Sequence, residues 1–184
     1  MIRTGLRHLA AAQARSDIGF SSAKLNKMVN QHVGTLLIAS HNISRSEVVF
    51  KIDLTAVGRL SPESSMHSVQ VGENVHVDLL RPFYSEKVPD EKGGQARYLS
   101  HLNEPNLLAT VTDCLTFSAV REILPGEELG FHYCTTEWTM KSPFVCARDG
   151  GRVQGYAHLD QAARLKLQRG GLLCAHVQRL AEKL

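Results

Sequence analysis

Two short stretches carry the side chains that could do chemistry. The first, Arg97 to Asn106, reads RYLSHLNEPN and sets a tyrosine, a histidine, two asparagines and a proline close together. Pro105 fixes its own φ and moves Glu104 out of the helical region, so this backbone is stiff. Amides held on stiff backbone can clamp a polar main chain or a ligand. They can equally cap neighbouring strands, and composition alone favours that structural use. The second stretch, Pro125 to Tyr133, reads PGEELGFHY. A proline-glycine turn leads into an alternation that puts Leu129, Phe131 and Tyr133 on one face and His132 on the other. A tyrosine beside a cleft needs a partner for its hydroxyl.

Other chemistries lack their residues. His67, His76, His101 and His132 do not fall at the spacing of HExxH or of paired His/Cys ligands, so no metal site is expected. There is no GxSxG, no phosphate-binding loop and no strand–GxGxxG–helix unit.

The elements that must hold the two stretches read as short strands. Gly34 to Ser40 and Val48 to Leu54 are strand-like and joined by a polar connection. His67 to Leu80 alternates on both sides of Gly72-Glu73-Asn74, a hairpin pattern. Leu107 to Val120 is rich in β-branched residues and broken at Thr112-Asp113, again hairpin-like. Asp17 to Asn30 reads as a polar loop. From Asp160 the pattern is helical and interrupted at Gly170-Gly171. Residues 1–16 hold three arginines and no acid, which predicts either a helix on the domain or an organelle transit segment. The whole predicts a β-rich single domain with helical ends.

The totals bound the rest. A chain of 184 residues, 43% hydrophobic and 21% charged, has one good hydrophobic core in it and is short for two. A net charge of +3 without a lysine-arginine run does not point to nucleic acid. Four cysteines without a CxxC pair fit buried thiols in a reducing compartment, so an intracellular, by default cytoplasmic, location is expected, with nuclear or organellar ones left open. No apolar run reaches the roughly 20 residues of a membrane span.

Taken in order, several fragments resemble one family, the SET-domain methyltransferases. The family opens with a GxG–apolar–alanine strand; here it is Gly34-Thr35-Leu36-Leu37-Ile38-Ala39, followed by Ile43 and Val48-Val49-Phe50. Its central segment, of the form aromatic–apolar–NHSCxPN, corresponds to Tyr98 through Asn106. Its GEELxxxY motif is Gly126 to Tyr133, and TTEWTMKSPFVC resembles the approach to the family's cysteine-rich tail. The departures are Leu36 for the second glycine, Ser100 for the asparagine before His101, Asn103 for a cysteine that often binds zinc, and a tail reduced to Cys146-Ala147-Arg148-Asp149.

The resemblance implies a β-rich SET-domain fold, a β-clip with a pseudoknot of short strands and helical N- and C-terminal extensions. It divides the chain into a helical N-terminal extension over residues 1–30, which could include a targeting segment, a SET domain over 31–146 with a short insert near 55–96, and a zinc-free helical segment, like the family's post-SET tail, over 147–184. It further implies S-adenosyl-L-methionine as cofactor and methyl transfer, most simply to a protein lysine. A small-molecule amine as acceptor, or a SET-fold binding protein with little or no catalysis, are the alternatives; neither nucleic acid nor membrane is expected as a partner. The matching positions would be Tyr133 and Tyr98 for catalysis, with Gly34, Thr35, Leu36, Ser100, His101, Asn106, Tyr133 and Phe144 around the cofactor. Tyr84, Phe131 and Tyr156 would line the substrate channel or lid.

Overall fold

A computed structural model describes residues 19–55, 60–79 and 93–184. The expected N-terminal helix, the possible transit segment and Tyr84 lie outside the described residues. The strands, in chain order, are β1 (Gly19–Ser21), β2 (Leu25–Asn30), β3 (Gly34–Ala39), β4 (Val48–Asp53), β5 (Ser68–Gly72), β6 (Val75–Asp78), β7 (Ser100–His101), β8 (Leu107–Val111), β9 (Cys114–Ala119), β10 (Gly130–Phe131), β11 (Phe144–Val145) and β12 (Arg152–Val153). Two helices follow, α1 (Gln161–Arg169) and α2 (Ala175–Ala181).

The largest sheet has the order β1-β4-β9-β8 and is antiparallel throughout. The β-branched run from Leu107 to Val120 forms its β8–β9 hairpin as its composition predicts. Along β9, Leu115, Phe117 and Ala119 are buried and alternate with half-buried polar residues, so one face is core. The His67–Leu80 pattern likewise folds as the β5–β6 hairpin. β3 and β4 are joined by the expected polar connection but belong to different sheets: β3 pairs with β2, and β4 lies between β1 and β9.

Residues 19–30 depart from expectation, being neither loop nor helical extension. The stretch predicted as a loop holds β1 and β2, and β2 pairs with β3 from Leu25↔Ala39 to Asn30↔Gly34. Four of its six residues are exposed, so no apolar alternation marks it. Pairing with β3, rather than burial, makes it a strand.

The chain from Gly126 onward is threaded between two earlier strands. Gly126 takes φ +89° at the turn, a value that suits glycine. The Ala39 N–H then donates to Glu127 O (2.9 Å) and the Leu129 N–H to Leu37 O (2.8 Å), fixing the segment along β3. On its other side the Ser100 N–H donates to Leu129 O (3.1 Å), and β10 pairs in parallel with β7. The approach is so close that a Cβ on Gly130 would stand 2.4 Å from Ser100 O.

Side chains pack into two cores. The larger gathers the inner faces of the strands, including Phe50, Ile52, Leu115 and Phe117. The smaller joins Cys134, Cys146, Val153, Tyr156, Leu167 and Val177 beneath α1 and α2. Asp160 caps α1 by accepting the Ala163 N–H (2.8 Å), and the helix ends before Gly170-Gly171, where the sequence breaks it. All four cysteines are free; three are buried and Cys114 is half-buried. No helix among the described residues is long and apolar enough to cross a membrane.

Candidate active site

The two chemically promising stretches meet where β7 and β10 pair. Asn106, 2% exposed, acts as the clamp: its Nδ2 donates to Glu128 O (2.7 Å) and its Oδ1 accepts the Gly130 N–H (3.0 Å). Both backbone groups would otherwise be buried without partners, so the amide satisfies the threaded segment as a strand partner would. His101 ties the next residues. Its Nδ1 accepts the Tyr133 N–H (3.2 Å), which leaves Nε2 to carry the proton and donate to Asn103 Oδ1 (3.1 Å). Burial lowers its pKa, so the ring is neutral near pH 7.

Tyr133 follows on a short 3-10 turn (Tyr133–Thr135). Its hydroxyl donates to Leu99 O (2.6 Å), and burial pushes the phenol well above its ordinary value. It therefore keeps its proton, with the oxygen lone pairs free to accept. A file of aromatic contacts connects it to the main core: Phe50 meets Phe117 edge-on (6.3 Å), Phe117 meets Phe131 (5.0 Å) and Phe131 meets Tyr133 (4.9 Å). His101 and Phe144 close the other side, at 5.3 and 6.0 Å from the Tyr133 ring.

These groups open on a cleft of about 710 Å³. Of the residues singled out in the sequence, Thr35, Tyr98, Ser100, His101, Phe131, Tyr133 and Phe144 line it. Tyr98 is capped by Arg97, whose guanidinium carbon stands 4.3 Å from the ring centroid and whose Nη2 donates to the hydroxyl (3.0 Å). Four others are placed differently. Gly34 starts β3 with φ +81° beside Thr35 but is not itself a wall. Leu36, 3% exposed, turns away from the cleft because successive strand residues face opposite sides. Asn106 holds backbone rather than cleft. Tyr156 is fully buried in the smaller core, stacked on Trp138 at 5.7 Å.

Three polar groups were not singled out as site residues in the sequence. Glu137, 6% exposed, is the only carboxylate lining the cleft among the described residues. Its Oε1 accepts the Gln70 N–H (2.7 Å), while Gln70 Oε1 accepts the Trp138 N–H (2.8 Å), a reciprocal clasp between β5 and the chain after Tyr133. Burial pushes its carboxyl up to about 7, against the opposing pull of the Gln70 N–H and the Thr136 hydroxyl. His76 Nε2 lies 3.9 Å from Oε2, and burial lowers this histidine too, so the contact is not an ion pair near neutral pH. An acid held inside an otherwise buried CTTE run is the one local signal, and its partner is far off in sequence. The other two groups, Arg148 and Asp149, reach back to the knot: Arg148 contacts Glu128 and Ser100, and Asp149 accepts from Asn103.

Among the described residues no group of three or more His, Cys, Asp or Glu could hold a metal ion.

The architecture has likenesses among solved structures. It is similar to the crystal structure of KRYPTONITE in complex with mCHG DNA and SAH, at 16% identity and a TM-score of 0.49, over 66% of this chain and 26% of that one. It is also similar to ATXR5 in complex with mono-methylated histone H3.1, at 16% identity and a TM-score of 0.40, over 72% of this chain and 66% of that one. The chain thus spans about a quarter of the first of these proteins and just under two thirds of the second. No curated protein sequence matches it. The family model for the SET domain matches residues 34–134, more than half of the chain, and takes in β3, both halves of the knot and Tyr133. This chain belongs to the SET-domain family.

Proposed function

We propose that the protein is an S-adenosylmethionine-dependent N-methyltransferase whose acceptor is a protein lysine. The observation that carries the reading is the meeting of His101 and Tyr133 at the β7–β10 pair, with the Tyr133 hydroxyl anchored on Leu99 O at the wall of an aromatic cleft. The cleft suits the cofactor in size, since about 710 Å³ falls within the roughly 300–1,000 Å³ of small-molecule pockets. It suits it in chemistry as well. Aromatic faces of Tyr98, Tyr133 and Phe144 favour a flat base and a cationic sulfur, and Ser100 and Thr35 bring hydroxyls for polar ends. Thr35, Ser100, His101 and Phe144 would hold it. When bound, S-adenosylmethionine supplies a methyl group on positively charged sulfur.

In-line transfer to an amine needs alignment, a neutral amine and exclusion of water, with little acid–base machinery. Tyr133 meets the first two needs. Its proton is committed to Leu99 O, so its oxygen accepts from the incoming amine and fixes the direction of the nitrogen lone pair. Phe131 and Phe144 keep water from the amine, which favours its uncharged form. His101, neutral and bonded at both nitrogens, holds the Tyr133 backbone in register and contributes no proton of its own.

The test is transfer of labelled methyl from S-adenosylmethionine to a cell extract separated into protein and small-molecule fractions. Label on lysine in the protein fraction is expected, and Tyr133→Phe should lower turnover about 100-fold or more while leaving cofactor affinity nearly intact. Undiminished turnover in the variant would remove the role given to Tyr133. Absence of cofactor binding at high micromolar concentration would sink the enzyme reading. Label confined to the small molecules would replace the protein lysine with a small amine.

A further inference from the structure

The β11–β12 hairpin forms the wall of the cleft from Lys141 to Arg148 and carries Phe144 against His101, 6.3 Å between ring centroids. Its two ends are set in the smaller core by Cys146 and Val153, 4% exposed each. Between them Ala147 to Arg152 are all exposed, and Gly150 turns the chain back at φ +72°. What brings this tip onto the knot is polar. Arg148 pairs with the Glu128 carboxylate and reaches Ser100 Oγ (3.4 Å), and the Ser100 hydroxyl donates to the same carboxylate. Asn103 Nδ2 donates to Asp149 Oδ2, while Asp149 Oδ1 accepts the Gly151 N–H (2.9 Å). Lys166 of α1 pairs with Glu104 on the same loop.

Asn103 stands where a zinc-binding cysteine is common in the family, and the described residues hold no metal-binding cluster. The departures from the family motif are the latch itself: Ser100 and Asn103 on the knot meet Arg148 and Asp149 on the tail. We propose that the β11–β12 hairpin is a lid over the cofactor half of the cleft, closed by this ionic and amide latch in place of a metal. Arg148 and Asp149 are positioning residues that act through Phe144. The side chains of Arg148 and Glu128 are 32% and 24% exposed, so salt reaches the pair and weakens it. Cofactor retention should then follow ionic strength and ignore chelators. This last consequence rests on the methyltransferase reading, but the latch itself does not.

The experiment is hydrogen exchange of residues 144–153 in the cofactor-free protein. The Cys146 N–H, bonded to Gly151 O (2.8 Å), and the Gly150 N–H, bonded to Cys146 O (2.8 Å), report on the tip. Arg148→Met should speed their exchange about fivefold, the size expected of one partly exposed pair. Raising salt from about 50 to about 500 mM should do the same to the wild type and little to the variant. The double charge reversal Glu128→Arg with Arg148→Glu should restore protection, and a chelator should change nothing. With substrate, Arg148→Met and salt should raise KM for S-adenosylmethionine and leave kcat at saturation near wild type. Exchange indifferent to Arg148 and to salt, or exchange that a chelator accelerates, would overturn the latch even in an active enzyme. Salt-dependent exchange in a protein that transfers no methyl would overturn the methyltransferase reading and leave the latch standing.

Discussion

The two sides of Tyr133 are built on opposite principles. On the β7–β10 side the main ties are main chain or the buried Asn106 amide: Leu129 between Leu37 and Ser100, Asn106 on Glu128 and Gly130, and Gly130 with no room for a Cβ. On the β11–β12 side Cys146 and Val153 are buried in the smaller core, but the ties from the tip to the knot are partly exposed side-chain pairs. Tyr133 packs against both cores and so lies on their seam. Under the proposed methyl transfer, the rigid half would set an atom's position and the more loosely held half would admit the cofactor.

The largest effect should come from breaking the rigid half. Gly130→Ala forces a methyl group into Ser100 O and the Leu102 side chain, and should cost about 3 kcal/mol or more, read as a shift of the denaturant midpoint. Methyl transfer should vanish with it. A folded Gly130→Ala protein of near wild-type stability would mean that the threaded segment is not tightly held.

The seam itself should respond to pH through Glu137. With its carboxyl pushed up to about 7 from 4.5, the folded protein keeps a proton that the unfolded chain has released. The favourable contribution is complete below pH 4.5 and is lost as pH rises through about 7. Glu137→Gln keeps an acceptor for the Gln70 N–H and removes this slope. The variant should gain roughly 2 kcal/mol on the wild type between about pH 5 and about pH 8. His132 works in the opposite sense: burial brings it to about 4, so its contribution is present above its usual 6.5 and fails as pH falls through 4. Parallel stability profiles for wild type and Glu137→Gln would show that Glu137 is not held in a dry site.

The smallest effect belongs to the tail. Asp160→Ala removes the α1 cap and should cost about 1 kcal/mol in thermal or denaturant unfolding. Turnover should hold, because α1 packs on the smaller core through Leu167 and reaches the knot only through the exposed Lys166–Glu104 pair. A loss comparable to that of Gly130→Ala would erase the contrast between the two sides.

What the sequence made legible follows the same division. The hairpins at 68–78 and 107–119 declared themselves by alternation and β-branching, and His101 with Tyr133 by an ordered set of short motifs. β2 did not, because an exposed two-stranded ribbon leaves no apolar period. Thr35 and Leu36 are neighbours in one motif, yet only Thr35 faces the cleft, since alternation decides which one turns inward. Tyr156 was expected at the lid, but Gly155, packed under Trp138 O, turns the chain so that the ring enters the smaller core. Glu137 carried only a weak local signal, because its partner Gln70 lies 67 positions earlier.

The threading of β10 also has a kinetic side. Leu129 bonds to Leu37 and to Ser100, contacts that close long loops of chain, whereas the β8–β9 hairpin is local. Local hairpins form early, and long closures wait for a surface on which to dock. The nucleus would be the β8–β9 ribbon with β4 across it, and the segment from Gly126 would enter last. Tyr133 would then meet Leu99 only late in folding, so a half-folded chain would hold most of a sheet and none of the candidate site.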